Sequence, residues 1–284
     1  MHFMDMDSIV IGGGPAGLAS AVRLARIGHR VLLVERRGLP QKKCCGEFLH
    51  PSAVRELRLL LNQEPPGTRI DRVRISSGTQ TREFPMAGQA LSIPRPALSS
   101  LLVSAAANAG VQIITDKTAE LVDVSDRQVW VRIGTDRVAA GQAILAEGSS
   151  SPTARRLGLV RPARSLVYGF SARVRADFPN TVALAAVRGG YVGLCDLGSG
   201  TVNLAGLLSV KAFQRLAPSK PGFEERLLAE IPAWRGMLPA GISVEFYQAP
   251  VCTDLGNIRE FFPGRVFVVG DAAGQLHLFL NEGA

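Results

Sequence analysis

Cysteine is scarce in this chain of 284 residues, and its few cysteines form no recognisable framework. The four are Cys44, Cys45, Cys195 and Cys252. None belongs to a C-x-x-C pair, which disfavours a structural zinc site, and two adjacent cysteines are not spaced for a simple disulfide framework. We therefore predict a reduced, cytoplasmic protein with no bound metal.

Long apolar runs and blocks of positive charge are also missing. No apolar stretch reaches the roughly 18 residues that a membrane span requires, and residues 1–7 do not resemble a signal peptide. The net charge is +8, but the lysines and arginines are scattered. Such a surface attracts anions, including nucleotide cofactors and acyl carrier proteins, whereas nucleic acid is not an expected partner. A carrier-bound substrate, peripheral association with a membrane and the oligomeric state stay open.

The first 35 residues follow the order strand, turn, helix, strand, and the turn has the sequence Gly12-x-Gly14-x-x-Gly17. Gly12 permits a tight turn, Gly14 lets the backbone approach a pyrophosphate, and Gly17 lets the helix pack closely on the sheet. The start of the helix would offer free N–H groups to phosphates. Glu35 ends the second strand, where a carboxylate can bind a ribose hydroxyl. This unit predicts a dinucleotide site.

The rest of the chain divides into two textures. Apolar residues at helical spacing between 98 and 109 predict an amphipathic helix, and residues 85–88 are predicted as a loop. From about 161 to 262, strand-like runs separated by Gly and Pro predict a mostly antiparallel sheet. We predict an α/β fold (α+β overall), with a Rossmann-like cofactor domain and a mostly antiparallel β-sheet substrate domain. The predicted bounds are 1–68, 92–160 and 262–284 for the first domain, and 69–91 and 161–261 for the second.

A second candidate motif lies near the C-terminus. The apolar run 266–269 is followed by Gly270 and Asp271. Ligands of open α/β sheets bind beyond the carboxyl ends of the strands, and an aspartate there can hold a sugar hydroxyl. Asp271 alone could equally be the N-cap of a helix. Paired with Glu35, it favours one extended nucleotide bound by both ends of the chain.

Two further segments complete a pattern of four. Ser92-Ile93-Pro94-Arg95 precedes the amphipathic helix, and Ala146-Glu147-Gly148-Ser149-Ser150-Ser151 matches the start of an A-D/E-G-x-x-S-x-x-R fingerprint. Ala154 stands at the arginine position of that fingerprint, and Arg155 follows one residue late. Together the four segments resemble the FAD-dependent oxidoreductase superfamily that contains p-hydroxybenzoate hydroxylase-like and geranylgeranyl reductase-like enzymes.

The resemblance implies FAD as cofactor and NAD(P)H as co-substrate. Glu35 would bind the adenosine ribose, Arg95 the phosphate or ribityl region, and Asp271 the ribityl chain or a phosphate. Arg95 could equally be a surface residue at the start of its helix. The full cofactor-binding set that it implies is Gly12, Gly14, Pro15, Ala16, Gly17, Glu35, Arg36, Cys45, Gly46, Arg95, Gly148, Asp271 and Gly283.

The segment after the second strand supplies the candidates for catalysis. Cys45-Gly46 matches a C-G pair that lies beside the flavin ring in the geranylgeranyl reductase-like branch. Cys45, Glu47 and His50 are the candidate catalytic residues, with Glu47 and His50 as proton donors. Each can equally be a packed or solvated side chain of a loop.

The C-terminus departs from the family's P-x-x-G-x-G element. Leu278 replaces the proline, Asn281 replaces the first glycine, and only Gly283 is retained. The sequence stops at Ala284, where the last flavin-facing helix of the family would begin. A truncated chain with weakened flavin binding is therefore one expectation.

Three functions follow from the resemblance. Cys45-Gly46 favours a geranylgeranyl reductase-like enzyme that acts on a hydrophobic or aromatic small molecule. A class A flavin monooxygenase, a hydroxylase, is the alternative, and a non-catalytic, truncated flavin-binding remnant is an alternative of another class. A flavin halogenase is disfavoured because the W-x-W-x-I-P motif is missing, and an NAD-dependent dehydrogenase because it gives Asp271 no role.

Overall fold

The computed structural model describes residues 6–158, 167–218, 220–239, 242, 245–247, 262 and 264–274, with the backbone alone described for 245–247. Cys252, Leu278, Asn281 and Gly283 lie outside the described residues.

The described residues form two sheets and the helices that pack with them. The strands are β1 (Met6–Ile11), β2 (Val31–Val34), β3 (Phe48–Leu49), β4 (Thr68–Ser77), β5 (Gln80–Ser92), β6 (Gln112–Ile114), β7 (Ala119–Val124), β8 (Val129–Ile133), β9 (Asp136–Leu145), β10 (Val167–Arg175), β11 (Thr181–Val187), β12 (Gly190–Asp196), β13 (Thr201–Ser209), β14 (Glu245–Tyr247) and β15 (Val266–Val268). The helices are α1 (Pro15–Arg26), α2 (Pro51–Leu61), α3 (Arg95–Asn108), α4 (Pro152–Arg156), α5 (Val210–Leu216) and α6 (Phe223–Glu230), with 3-10 turns at Pro232–Trp234 and Gly270–Ala272.

The first sheet contains the predicted parallel core. Its order is β6-β2-β1-β9-β8-β7, and β15 also pairs with β9. The pairs of β1 with β2 and β9, of β2 with β6, and of β15 with β9 are all parallel. Helix α1 packs on β1, β2 and β9, and α2 and α3 pack against α1 and against each other in the same apolar cluster. Strands β1 and β2 are apolar runs because neighbouring strands and helices bury them almost completely.

The second sheet has the order β14-β10-β13-β12-β11-β4-β5-β3. All of its pairs are antiparallel except that of β11 with β4, so the prediction of a mostly antiparallel sheet is confirmed. Its core includes Trp234, Phe170 and Phe223, all fully buried. The rings of Phe170 and Phe223 meet edge to face at 5.5 Å between centroids, which holds α6 against the sheet.

Some details of the sequence-based prediction are wrong. Residues 85–88 lie inside β5 and not in a loop, with Pro85 opposite Arg72. The register shifts between Ile70 and Arg72, and a bulge of this kind accommodates a proline within a strand. The short helices α4 and α5 were not predicted, because five and seven residues are too few for a clear helical period. The domain bounds stay a prediction. Among the described residues, no helix has both the length and the apolar character needed to cross a membrane.

Candidate cofactor and substrate site

The carboxyl ends of four neighbouring parallel strands lie side by side at one edge of the first sheet. Ile11 of β1 is opposite both Val34 of β2 and Leu145 of β9. Val268 of β15 is also opposite Leu145. The residue that follows each strand end therefore reaches the same edge, and the sequence motifs that begin there come together in space.

The glycine turn between β1 and α1 has little room for side chains at two of its three positions. A Cβ on Gly12, whose φ is +112°, would collide with the carbonyl oxygen of Ala146. A Cβ on Gly17 would collide with the carbonyl oxygen of Gly12. Gly14 has open space at this position and is the N-cap of α1, where no side chain caps the helix. The backbone amides at the start of α1 are therefore free to bind a group in the adjacent space.

Glu35 is buried and is held by the glycine turn itself. Its Oε2 accepts a hydrogen bond of 2.7 Å from the backbone amide of Gly13, and its Oε1 accepts one of 3.0 Å from Arg37. An ionised carboxylate has about four acceptor positions, so capacity for a ligand hydroxyl remains. The carboxylate is thus fixed in place and still able to bind.

The C-terminal motif packs directly on the first turn of α1. A Cβ on Gly270, whose φ is +62°, would lie 2.6 Å from the Cβ of Ala16. Asp271 follows in the 3-10 turn and not at the start of an α-helix. The glycine turn and the motif that contains Gly270 therefore meet at the start of α1.

One cavity of about 850 Å³ lies at this edge and extends to the second sheet. Its volume falls in the range of roughly 300–1,000 Å³ that is usual for small-molecule sites. The candidate residues that line it are Gly12, Gly14, Pro15, Ala16, Glu35, Arg36, Cys45, Gly46, Glu47, Arg95, Gly148 and Asp271. Gly17 is buried beneath the turn and does not line the cavity.

His50 is not among the residues that line the cavity, so nothing in the described residues supports the prediction that it donates a proton there. It is exposed and is the N-cap of α2, with its Nδ1 3.4 Å from the donating amide of Ser52. Pro51 at the first helical position is the signal that could have indicated this role, because proline is favoured just after an N-cap.

After Glu147, the arginine that lines the cavity does not stand at the position that the fingerprint predicts. Ala154 is fully buried, and Arg155 is exposed and donates to the carbonyl of Ser149. Arg156 lines the cavity instead, and it pairs with Glu120. Glu147 accepts from Thr153 at the start of α4. The sequence missed Arg156 because the helix register could not be read from so short a segment.

Glu47 is buried in the cavity wall, and its backbone φ of +59° is unusual for a residue other than glycine. Its Oε1 accepts from the backbone amide of Arg95 at 2.8 Å and from the guanidinium of Arg173 at 2.6 Å. Its Oε2 is the one buried side-chain oxygen or nitrogen without a hydrogen-bond partner in the described part of the chain. Glu47 therefore links the start of α3 to Arg173 through one carboxylate oxygen.

Alternate residues of the second sheet face the cavity and form a mostly apolar or small-residue surface, here called the sheet face. Its members are Gly169, Val182, Leu184, Tyr191, Gly193, Cys195, Ala205 and Leu207. The register aligns Ala205, Gly193 and Leu184 in one row across β13, β12 and β11. A glycine inside a strand often marks the close approach of a ligand, and Gly193 lies in the middle of this row.

Burial favours the protonated form of two thiols at this cavity, those of Cys44 and Cys195. Burial raises the pKa of the Cys44 thiol to about 12 and that of the Tyr191 phenol to about 12. Burial also raises the pKa of the Cys195 thiol. Since the thiolate is the nucleophile, Cys44 and Cys195 are unreactive at neutral pH.

The family model described as an FAD binding domain matches residues 5–277. The chain belongs to this FAD binding domain family. A menaquinone reductase of Mycolicibacterium smegmatis is 31% identical over 220 residues, which cover 70% of this chain and 54% of the relative. A digeranylgeranylglycerophospholipid reductase 2 of Methanothermobacter thermautotrophicus is 29% identical over 293 residues, which cover 96% of this chain and 72% of the relative. The chain thus spans about half the length of the menaquinone reductase (54%).

A solved structure of a myxobacterial chondrochloren halogenase, a variant of FAD-dependent halogenases, has the same fold. Its TM-score is 0.77 at 20% identity, over 99% of this chain and 71% of the halogenase. At this identity the likeness concerns the fold alone, and one fold supports several flavin chemistries.

The site residues fit FAD by their own chemistry. The uncapped helix start and the open position at Gly14 suit a pyrophosphate. Carboxylates from Glu35 and Asp271 line the same cavity and suit the hydroxyl groups of sugar and ribityl units. The cavity then continues along the sheet face, where its lining is mostly apolar.

Proposed function

We propose that this chain is an FAD-dependent oxidoreductase that acts on a hydrophobic or aromatic small molecule and resembles the geranylgeranyl reductase-like branch. NAD(P)H is the proposed reductant. The observation that carries the proposal is the single cavity whose walls include both Glu35 and the apolar sheet face. Residues that hold a cofactor and a substrate in one cavity also hold their reacting atoms close together.

Under this proposal, each part of FAD is bound by different residues in the cofactor half of the cavity. The start of α1 and Gly14 bind the pyrophosphate, Glu35 binds the adenosine ribose, and Asp271 binds a ribityl hydroxyl. Arg36 and Arg95 add positive charge near the phosphates. When bound, FAD would supply reversible hydride chemistry, which the side chains of this cavity do not provide.

The substrate half is proposed to be the sheet face. Leu184, Leu207 and Val182 exclude water, and the small residues Gly193 and Ala205 leave room for a ring or an extended chain. Burial of apolar surface stabilises such a ligand by roughly 25 cal/mol per Å² before the costs of ordering. The surface thus suits a hydrophobic or aromatic substrate better than a charged one.

The names of the relatives agree with a hydrophobic substrate. One is named as a reductase of menaquinone and the other as a reductase of a digeranylgeranylglycerophospholipid. Menaquinone and the digeranylgeranylglycerophospholipid are substrates of those relatives. For this chain, the names support only a hydrophobic class of substrate, and they favour a reductase over a hydroxylase.

The segment containing Cys45 and Gly46 is proposed to lie beside the flavin ring, since both residues line the cavity. Cys45 remains a candidate for contact with the reacting atoms. Glu47 is proposed to act by positioning, because Arg173 and the backbone amide of Arg95 both bind its carboxylate.

Anaerobic titration of the purified, FAD-loaded chain tests the proposal. NADPH or NADH should bleach the visible flavin absorbance, and a small quinone such as menadione should restore it without oxygen. Oxygen consumption with a hydroxylated product would favour the monooxygenase instead. A chain that takes up no added FAD would contradict the proposal and favour the non-catalytic remnant.

A further inference from the structure

A closed set of hydrogen bonds joins the second sheet to the cavity wall through side chains that sequence reasoning did not single out. Arg173 of β10 and Asn203 of β13 are directly opposite each other in the sheet. The Nη1 of Arg173 donates to the Oδ1 of Asn203 at 2.5 Å, and its Nη2 donates to Glu47. The Nδ2 of Asn203 donates to the carbonyl oxygen of Cys45 at 2.8 Å. We call Cys45, Glu47, Arg173 and Asn203 the Glu47 network.

The network fixes the segment Cys45-Gly46-Glu47 from both ends. Asn203 binds the carbonyl of Cys45, and Arg173 binds the side chain of Glu47 two residues later. The carbonyl oxygen of Glu47 accepts from the amide of Ile93 at 3.0 Å. A left-handed backbone at a glutamate persists only where its surroundings hold it, and these contacts supply that constraint.

The same carboxylate caps helix α3. The N-cap residue Pro94 has no side-chain oxygen, and no side-chain cap comes from within the helix. Glu47 accepts from the first amide of the helix, that of Arg95, and places a negative charge at the positive end of the helix dipole. The direction of α3, and the backbone position of Arg95 in the cavity wall, therefore depend on Glu47.

Arg173 and Asn203 themselves do not line the cavity among the described residues, whereas Cys45, Gly46, Glu47 and Arg95 do. We propose that Glu47 and Arg173 are positioning residues that couple the second sheet to the cofactor site. Arg173 orients the side chain of Glu47 through their ion pair, and Glu47 in turn holds the Cys45-Gly46 backbone and the start of α3. The inference rests on the proposed function, because it assigns these wall segments to the flavin half of FAD.

Substitution of the two charged residues tests the coupling by nucleotide affinity and not by turnover. Glu47→Gln and Arg173→Gln should each raise the dissociation constant for FAD about tenfold, which corresponds to the loss of one charge-assisted contact. Their affinity for ADP, which lacks the flavin half, should stay within about twofold of the parent chain. General loss of folding would weaken both nucleotides, so the difference between them reports positioning.

Two comparisons make the experiment specific. Arg175→Gln is the matched control, because Arg175 lies on the same strand and donates to the carbonyl of Ser199 away from the cavity. The Glu47→Gln, Arg173→Gln double variant should lose little more FAD affinity than either single variant, since both act through one contact. The visible circular dichroism of bound flavin, measured at saturating FAD, should change in the network variants and not in the control.

The possible outcomes distinguish a failure of the proposed function from a failure of the coupling alone. A parent chain that takes up no FAD would overturn the proposed function and the coupling together. A parent chain that binds FAD, with Glu47→Gln and Arg173→Gln binding it equally tightly, would overturn the coupling alone. Where Glu47→Gln does not fold, Arg173→Lys decides, because lysine keeps the charge but cannot join Asn203 and Glu47 with two nitrogens. Unchanged FAD affinity in Arg173→Lys would overturn the coupling.

Discussion

Gly270 and Ala16 lie far apart in sequence but pack directly against each other. A Cβ on Gly270 would lie only 2.6 Å from the Cβ of Ala16. This contact brings the C-terminal motif to the start of α1. The cofactor site therefore depends on the packing of two segments that are far apart in sequence.

Gly270→Ala should lower both stability and FAD affinity. The substitution adds a steric clash with Ala16 to the strain of a positive φ, and we expect a loss of about 2–4 kcal/mol in the free energy of unfolding. Gly264→Ala is the control, because Gly264 has a φ of +78° and open space at its Cβ position. Denaturant titration of both variants isolates the clash, and equal losses in the two would contradict the role of this contact.

Substitutions at two glycines of the turn should affect stability and FAD binding separately. Gly17→Ala should destabilise the chain by about 1–3 kcal/mol, although alanine favours helices, because its Cβ meets the carbonyl of Gly12. Gly14→Ala should leave stability within about 0.5 kcal/mol and weaken FAD binding, since its Cβ enters the space assigned to the pyrophosphate. Thermal unfolding and FAD titration measure the two effects, and a Gly14→Ala variant with unchanged affinity would argue against this assignment.

The sequence could predict those features that are local. Residues 9–11, 31–34 and 266–269 are continuous apolar runs, and Glu35 and Asp271 follow two of them, so their convergence was predictable from sheet geometry. The contact of Glu47 with Arg173 joins residues 126 apart in sequence, and no local pattern encodes it. A loop histidine and a histidine at a helix N-cap look alike in sequence, so the position of His50 at the start of α2 is seen only in the structure.

The sheet face should control which substrates fit. Gly193→Ala narrows the cavity, because its new Cβ would lie 3.2 Å from the Cδ2 of Leu184. We expect weaker binding of bulky hydrophobic ligands with FAD affinity unchanged. Gly206→Ala is the contrasting variant, since its Cβ would lie 2.5 Å from the ring of Phe170 in the core and should cost about 1–3 kcal/mol of stability. Quinones of increasing size provide the assay, and equal loss for small and large quinones would argue against a steric role.

The partly buried thiol of Cys44 gives a pH prediction. Its pKa is raised from 9.0 to about 12 in the folded chain, so folding favours the protonated thiol. The stabilisation is complete below pH 9 and is lost as the pH rises from 9 towards 12. Cys44→Ala should reduce this alkaline loss of stability. At pH 8, iodoacetamide should label Cys44 much more slowly in the native chain than in the unfolded chain, as read by peptide mass spectrometry. Equal rates would contradict the burial.

The most direct test of the central claim compares FAD with ADP in two variants. If one extended nucleotide joins the two carboxylates, Glu35→Gln should weaken both ligands about tenfold, while Asp271→Asn should weaken FAD about tenfold and leave ADP unchanged. Equilibrium dissociation constants for both ligands give the answer. An Asp271→Asn variant that binds FAD as tightly as the parent chain, or that loses ADP as well, would contradict the account.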